Sequence, residues 1–489
     1  MVVYSFDDII KKAKENLRSL IPPDRIHREA SDNIIDVIKR GDINVTIGPP
    51  GSGKTTTIAL TLSKMYEELD EKEVIVYTTT HNSLVLEATV KTMAHLMKNK
   101  VGEDEIKESV VLFGSQFPYR RPSENAKLMF TTFYQPAPLK EVLKEKDRVH
   151  LIVDEASTAR LFQVFLPISQ ALNSKFVETK EINTSFLSSL SIIGDPMQAI
   201  LISEHKRVKP LILKIIKGAI QDPSDRRRVE EEPDLILDIA EEYLPKSGLS
   251  YYFLRKTFRL PKPSQLLISL PFYRSKLDAH RSIKEVKIER DDVSLEGFVK
   301  NTRLLKKVID AVDNAVDSKI PVVYLKDKNP MPYSDDSFRK FDEKRATIGV
   351  ELAAYLSKAF YSKRIMVVNP YREMVSQMDY QLKSKFKVDQ TRVELRTVHS
   401  ALGTDADIVI AVLGKEYMNV WGGGKTIYYN IPQALNVQLS RHKGLVFIIG
   451  NIEDVAKTAN KLKEYSYVGR IEDAVDELVK NDSLISVEV

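Results

Sequence analysis

The sequence predicts an α/β protein made of two successive blocks, each a mainly parallel sheet flanked by helices. Two observations predict it. Short apolar, β-branched runs alternate with longer helical stretches, the rhythm of strands buried on both faces and joined by crossover helices. The strand-like runs also fall into two series. The first holds INVTI (Ile43–Ile47), VIVY (Val74–Tyr77), LMFTTF (Leu128–Phe133), VHLIVDE (Val149–Glu155) and LSIIGD (Leu190–Asp195). The second holds IPVVYL (Ile320–Leu325), IMVVNP (Ile365–Pro370), ADIVIAVL (Ala406–Leu413) and LVFIIGN (Leu445–Asn451). The turn-forming PKSGLS (Pro245–Ser250) separates them, giving expected blocks of 1–250 and 251–489.

Composition narrows the function classes. A chain of 489 residues has length for about two to four domains with real cores. Its 43% hydrophobic and 29% charged content is that of an ordinary globular protein, and a net charge of +5 permits a polyanionic partner without demanding one. Cysteine is absent, which excludes disulfides, iron–sulfur clusters and cysteine zinc sites. The eight histidines show no metal-ligand spacing, so a zinc site is not expected. MVVYSFDDIIKKAKENL at the N-terminus mixes acids and lysines into its apolar pattern and reads as an amphipathic helix, not a signal peptide. No apolar run approaches membrane-spanning length. The expectation is a cytoplasmic (intracellular) protein with no membrane partner.

Taken in order, the first strand, Ile43–Ile47, runs straight into GPPGSGKTTT (Gly48–Thr57) and then a helix with apolar spacing at Ile58, Leu60, Leu62 and Met65. Gly48, Gly53, Lys54 and Thr55 meet the pattern G-x-x-x-x-G-K-[ST] in the strand–loop–helix setting that gives it meaning. Such a loop converges backbone N–H groups on a phosphate at a helix N-terminus. Gly48, Pro49, Pro50, Gly51, Ser52, Gly53, Lys54, Thr55 and Thr56 are therefore the candidate nucleotide-binding residues. Lys54 is aimed at the β- and γ-phosphates and the Thr55 hydroxyl at Mg²⁺. This predicts a nucleoside triphosphate site.

About a hundred residues on, Asp154 and Glu155 end a hydrophobic strand, where ligands bind in parallel sheets. Asp154 is the candidate Mg²⁺ residue, and Glu155 the candidate general base for an attacking water. In SIIGDPMQ, Gln198 follows a third buried strand and is placed to orient water or sense the γ-phosphate, although G-D-P is also common turn chemistry. Residues 91–127 read as an insertion in the first block, partly helical and then loop-like through FPYRRPSEN. Residues 278–318 read as a charged, helix-prone insertion or lid-like subdomain. Arg226, Arg227 and Arg228 are offset by Glu230, Glu231 and Glu232, and read as a solvated loop or helix end. Trp421 beside Gly422–Gly424 sits in a loop, either as a strand-stacking wedge or as packing.

These motifs, in this order, resemble a superfamily 1 helicase, and the resemblance covers roughly residues 43–451. LRKTFRLP (Leu254–Pro261) followed by FYRSKL (Phe272–Leu277) resembles the segment with a base-stacking aromatic, here Phe258, and an arginine to the γ-phosphate, here Arg259. VVNPYREMVSQM (Val367–Met378) resembles the strand and turn opening the second motor domain. RTVHSALGTDADIVI (Arg396–Ile410) resembles the motif coupling nucleic acid to nucleotide through Thr397, His399, Ser400, Gly403 and Asp405. NVQLSRHKGLVFIIGN (Asn436–Asn451) resembles the last motif, with Arg441 as arginine finger. The wording is closest to the up-frameshift (nonsense-mediated-decay) branch, which implies 5′ to 3′ movement. No glutamine precedes Gln116, so the adenine-reading glutamine of such enzymes is missing upstream of the loop. Thr158, Leu402 and Thr404 also depart from the usual pattern.

The resemblance implies two tandem RecA-like P-loop domains with small, mostly helical insertions, closing on ATP and Mg²⁺ with Lys54, Glu155, Gln198, Arg259 and Arg441 as catalytic residues. Candidate single-strand contacts are Thr80, Asn82, Ser83, Thr131, Thr132, Tyr371, Arg372, Thr397, His399 and Ser400, since small polar groups on phosphates and an occasional stacked ring give sequence-independent grip. Each threonine is equally readable as a strand-end or cap hydroxyl. The expected partner is single-stranded DNA or RNA, including tailed duplexes, and the expected form a monomeric motor. Two alternatives stand beside the helicase: a single-strand translocase or nucleoprotein remodeller that unwinds nothing, and a nucleotide switch or kinase that is no motor.

Overall fold

A computed structural model describes residues 3–20, 22–117, 124–134, 143, 145–179, 185–198, 211–291, 306–328, 341–386, 388, 391–414, 432–461 and 463–489. The chain forms two compact units. One comprises Met1–Arg226 with Ile236–Arg255, the other Arg227–Leu235 with Lys256–Val489. Each is an α/β body around a parallel sheet, as the sequence predicts.

The first unit holds seven strands: β1 (Ile43–Ile47), β2 (Glu73–Thr79), β3 (Val110–Leu112), β4 (Leu128–Thr132), β5 (Arg148–Val153), β6 (Leu187–Gly194) and β7 (Ser250–Phe253). Their order is β3-β4-β2-β5-β6-β1-β7 and every pairing is parallel. Burial along all of β2 and along β5 from Val149 onward explains why both read as largely apolar runs. The expected boundary at residue 250 falls on the first residue of β7. That strand pairs with β1, Asn44 opposite Ser250, so the unit runs on to Arg255.

Four helices share one core of this unit. In α1 (Phe6–Arg18), the side chain of Ser5 accepts from the Asp8 N–H while Asp8 accepts from the Ser5 N–H, a reciprocal cap that satisfies orphan donors. In α2 (Arg25–Arg40), Asp24 caps the Ile26 N–H at 3.0 Å, and Gly41 ends the helix in the left-handed conformation. Ile34 and Ile38 of α2 share the core with Ile58 and Leu62 of α3 (Lys54–Met65). Met93 and Leu96 of α4 (Asn82–Lys98), then Ile106, Val110, Leu112 and Phe117, join the same core. Residues 91–117 are thus built into the first core. They build the sheet edge and its helical cover, because their apolar side chains have the sheet to pack against. The rest of that stretch lies largely outside the described residues.

The second unit has a small pair, β8 (Lys256–Thr257) with β9 (Asp278–Ala279), and a six-stranded parallel sheet. Its strands are β10 (Val322–Lys326), β11 (Ile365–Asn369), β12 (Val393–Thr397), β13 (Ala406–Val412), β14 (His442–Gly450) and β15 (Leu484–Glu488), in the order β12-β11-β13-β14-β10-β15. The helix Lys306–Asp317 places Val308, Ile309, Val312 and Ala315 in the core. The end of the expected 278–318 insertion is thus part of the domain body; residues 292–305 and Trp421 lie outside the described residues. Arg226, Arg227 and Arg228 are exposed on the helix Pro223–Glu231, in keeping with a solvated, charge-compensated turn. Nearby Asp234, buried, accepts from Arg274 at 2.9 Å and from Arg470, which ties the segment Arg227–Leu235 to the second unit.

Candidate nucleotide site and arginine cluster

Strand order explains how distant motifs meet in the first unit. β5, β6 and β1 are neighbours, so their carboxyl ends, carrying Asp154, Gly194 and the Gly48 loop, lie side by side. Gly48 N–H donates to Gly194 O at 2.9 Å, and Ala156 N–H donates to Ile193 O at 3.0 Å. The loop itself needs its glycines: Gly51 and Gly53 have φ of 70° and 83°, conformations that L side chains rarely adopt. At Gly48 a Cβ would stand 2.4 Å from Lys54 Cγ.

Lys54 Nζ donates to Gly48 O at 3.0 Å and lies 3.8 Å from Glu155 Oε1. Glu155 has φ of 51°, an uncommon conformation for a residue with a side chain, at the sharp turn where the strand ends. Beside it Asp154 is 1% exposed. Its Oδ2 accepts from the Tyr77 hydroxyl at 2.9 Å and its Oδ1 from the Glu155 N–H at 2.8 Å. Burial, reinforced by the Glu155 carboxylate, pushes the Asp154 pKa up to about 7 against the pull of Lys54. Gln198 follows the turn in which Asp195 accepts from the Met197 N–H at 3.0 Å. Its buried Nε2 has no hydrogen-bond partner among the described residues, and neither has Ser52 Oγ.

These features fit a polyphosphate with its cation. A glycine-bent loop opens a helix, an ammonium stands beside it, and unsatisfied polar atoms surround it. Thr55 and Asp154 would hold Mg²⁺, which supplies charge neutralisation on the phosphate oxygens. Thr55 and Thr56 are half-buried in the first turn of α3, and Pro49 and Pro50 are buried in the loop.

The second unit gathers its own cluster. Arg259 Nη1 donates to Ser440 O at 3.2 Å, and its Nε lies 3.5 Å from Asp405 Oδ2. Lys443 pairs with the same carboxylate at 2.6 Å. Burial works to raise the Asp405 pKa, but Arg259 and Lys443 outweigh it and the net shift is downward. Gly403 stands two residues earlier with φ of 74°. Phe258 lies against His280, ring centroids 4.5 Å apart. Arg441 is 1% exposed; it donates from Nε to Val437 O at 3.2 Å and from Nη2 to Ser440 Oγ at 2.9 Å. The Arg441 guanidinium thus spends donors on a carbonyl and a hydroxyl of its own unit.

His442, next in sequence, is buried with Nε2 2.8 Å from Ser264 Oγ. Burial first, then Arg281 and Arg259, push its pKa down from 6.5 to about 3. The unfolded chain thus takes up a proton below pH 6.5 that the folded one refuses until about pH 3. The stability from neutral His442 is whole above pH 6.5 and is lost as pH falls through that window. We expect the melting temperature of wild type to gain on His442→Gln as pH rises from about 4.5 to 7.5, the interval in which an ordinary histidine loses its proton. A difference that stays constant across that range would sink the idea.

The single-strand candidates divide by exposure. Ser83, Arg372 and Ser400 are exposed, and Thr80, Asn82, Thr397 and His399 are half-buried. Asn82 Nδ2 donates to Ser115 Oγ at 2.8 Å. Thr397 and Ser400 share a hydroxyl contact of 3.1 Å at the end of β12. His399 is pulled down in pKa by burial. Three candidates are corrected. Tyr371 is 2% exposed, part of the second core and packed beneath Gly414, so its ring has no open face for a base. Thr131 and Thr132 are buried at 1% and 7% at the end of β4, where they pair with Thr78 and Thr79 of β2, so neither hydroxyl stands open to a bound strand. Sequence reasoning missed Tyr77, Arg281 and Lys443, which carry no pattern of their own, and His27, a lone histidine whose Nε2 lies 3.1 Å from Ser52 O.

Comparison with known proteins adds the following. Residues 32–204 match the model of a family described as an AAA domain, and residues 240–453 match a second AAA domain model. This pair is typical of superfamily 1 helicases and supports a helicase-type ATPase. No curated protein matches. Among solved structures the chain is similar to S. cerevisiae Dbp5 bound to RNA and ADP BeF3, at 12% identity over 99% of this chain and 95% of that one, with a TM-score of 0.45. A variant of Dbp5 bound to RNA and ADP BeF3 gives 12% identity, 98% and 99% coverage and a TM-score of 0.44.

Proposed function

We propose that the protein is a nucleic-acid-stimulated ATPase that travels along single strands, 5′ to 3′, in the manner of a superfamily 1 helicase. The observation that carries this reading is the convergence of Lys54, Asp154 and Glu155 at the carboxyl edge of one parallel sheet. Lys54 and the loop N–H groups bind and orient the triphosphate; Glu155 takes the proton of the attacking water; Gln198 positions that water. Arg259 and Arg441 are the proposed cations for the transferring phosphoryl group, and Phe258 the proposed base platform. Exposed Ser83, Arg372 and Ser400, with Thr80, Asn82, Thr397 and His399, are the proposed strand contacts.

Hydrolysis of ATP with matched DNA and RNA single strands tests the reading. Turnover rises when a strand is added; turnover indifferent to both strands would favour a switch or kinase. A translocase that unwinds nothing is the second reading. It is favoured because unwinding needs a strand-splitting element, and residues 91–117 and 306–317, parts of the two stretches 91–127 and 278–318 that could supply one, place apolar side chains in the two cores. Strand displacement on 5′- and 3′-tailed duplexes separates the two and reports polarity.

A further inference from the structure

We infer that His27 is a positioning residue of the nucleotide site, acting through the peptide that joins Ser52 to Gly53. The inference rests on the phosphate-binding reading of the Gly48 loop.

His27 lies on the first turn of α2, 5% exposed, with Nε2 3.1 Å from Ser52 O. A carbonyl has no proton to give, so Nε2 carries it and His27 donates. The peptide bond is planar and trans, hence its C=O and N–H point in opposite directions. Holding the Ser52 carbonyl against α2 therefore turns the Gly53 N–H away from α2. A flipped peptide would present a carbonyl where an anion needs a donor. Gly53 completes the device: with φ of 83°, a Cβ there would lie 2.1 Å from His27 Nε2, so backbone and imidazole are in direct apposition.

The helix bearing His27 is itself held to the helix that follows the loop. Thr61 Oγ1 donates to Ser31 Oγ at 3.1 Å, and Lys64 pairs with Asp32 at 2.7 Å. The histidine thus projects from a fixed rail. The motif pattern of the loop does not specify this contact, since the partner sits 25 residues away on another element.

The test compares two side chains of similar size in the full-length protein. His27→Leu fills the space without a donor, whereas His27→Gln offers an amide N–H to Ser52 O. Affinity for a fluorescent ATP analogue is measured with turnover at saturation and melting temperature without nucleotide, and Lys54→Ala serves as control. We expect His27→Leu to weaken nucleotide affinity about tenfold, the scale of one buried hydrogen bond. His27→Gln should stay within about threefold of wild type by the same reasoning. Saturated turnover should change less than affinity. Equal affinity in wild type and the Leu variant overturns the proposal, as does equal weakening in Leu and Gln. If His27→Leu fails to fold, His27→Gln against His27→Asn, whose shorter amide falls short of Ser52 O, gives the same comparison. Should Lys54→Ala bind the analogue as wild type does, the phosphate-loop reading itself has failed, a result distinct from failure of the brace.

Discussion

Lys54→Ala is expected to lower ATP turnover by at least about a hundredfold, the scale typical of lost charge stabilisation in a preorganised site. Lys54 Nζ stands between Gly48 O and Glu155 Oε1, at 3.0 and 3.8 Å. Removing it takes a cation from beside two adjacent carboxylates, one of them almost fully buried. The triphosphate then meets Glu155 and Asp154 with less opposing charge, so binding and the chemical step both suffer. The fold should survive, because the lysine is half-buried at the first position of α3 and belongs to no core cluster. Steady-state turnover beside a melting curve checks this; a variant that melts normally and turns over normally would mean that the loop serves something other than hydrolysis.

Arg441→Ala is expected to cut turnover per folded molecule by a similar factor of about a hundred. It should also destabilise the second unit, which Lys54→Ala should not. Val437 O and Ser440 Oγ each lose a guanidinium donor while keeping each other as partners, and each lost hydrogen bond to a charged group costs about 1.5–3 kcal/mol. Arg441→Lys keeps the charge but not the planar fork, so it should recover part of the stability and little of the turnover. Measuring turnover against the folded fraction separates two roles. If stability falls while each folded molecule works normally, Arg441 is a domain brace and the last motif has been misassigned.

Much of the site was readable from residue order because its chemistry is local. A phosphate loop needs glycines at fixed spacing, a lysine and a hydroxyl directly before a helix, and all of these lie between Gly48 and Thr55. Asp154, Glu155 and Gln198 were readable as strand-end groups, since a buried parallel strand announces itself as an apolar run and its polar terminus stands out. The short edge strands β3 and β7 were not, because three or four residues carry too little pattern to separate a strand from its surroundings. The packing of 91–117 into the first core was hidden for a related reason: helical periodicity says that a face is apolar, not what covers it.

Residue order alone thus determined the class of fold, the position of the phosphate loop and the kind of ligand it suits, since each depends on neighbours within a few positions. Tertiary structure decided the rest. It brought Asp154 beside Lys54 through the adjacency of β5, β6 and β1; it buried Tyr371, Thr131 and Thr132; and it set His27 against Ser52. Burial and contact between distant segments follow from which elements pack together, and that pairing is chosen by the whole core and leaves no mark in the spacing of any one motif.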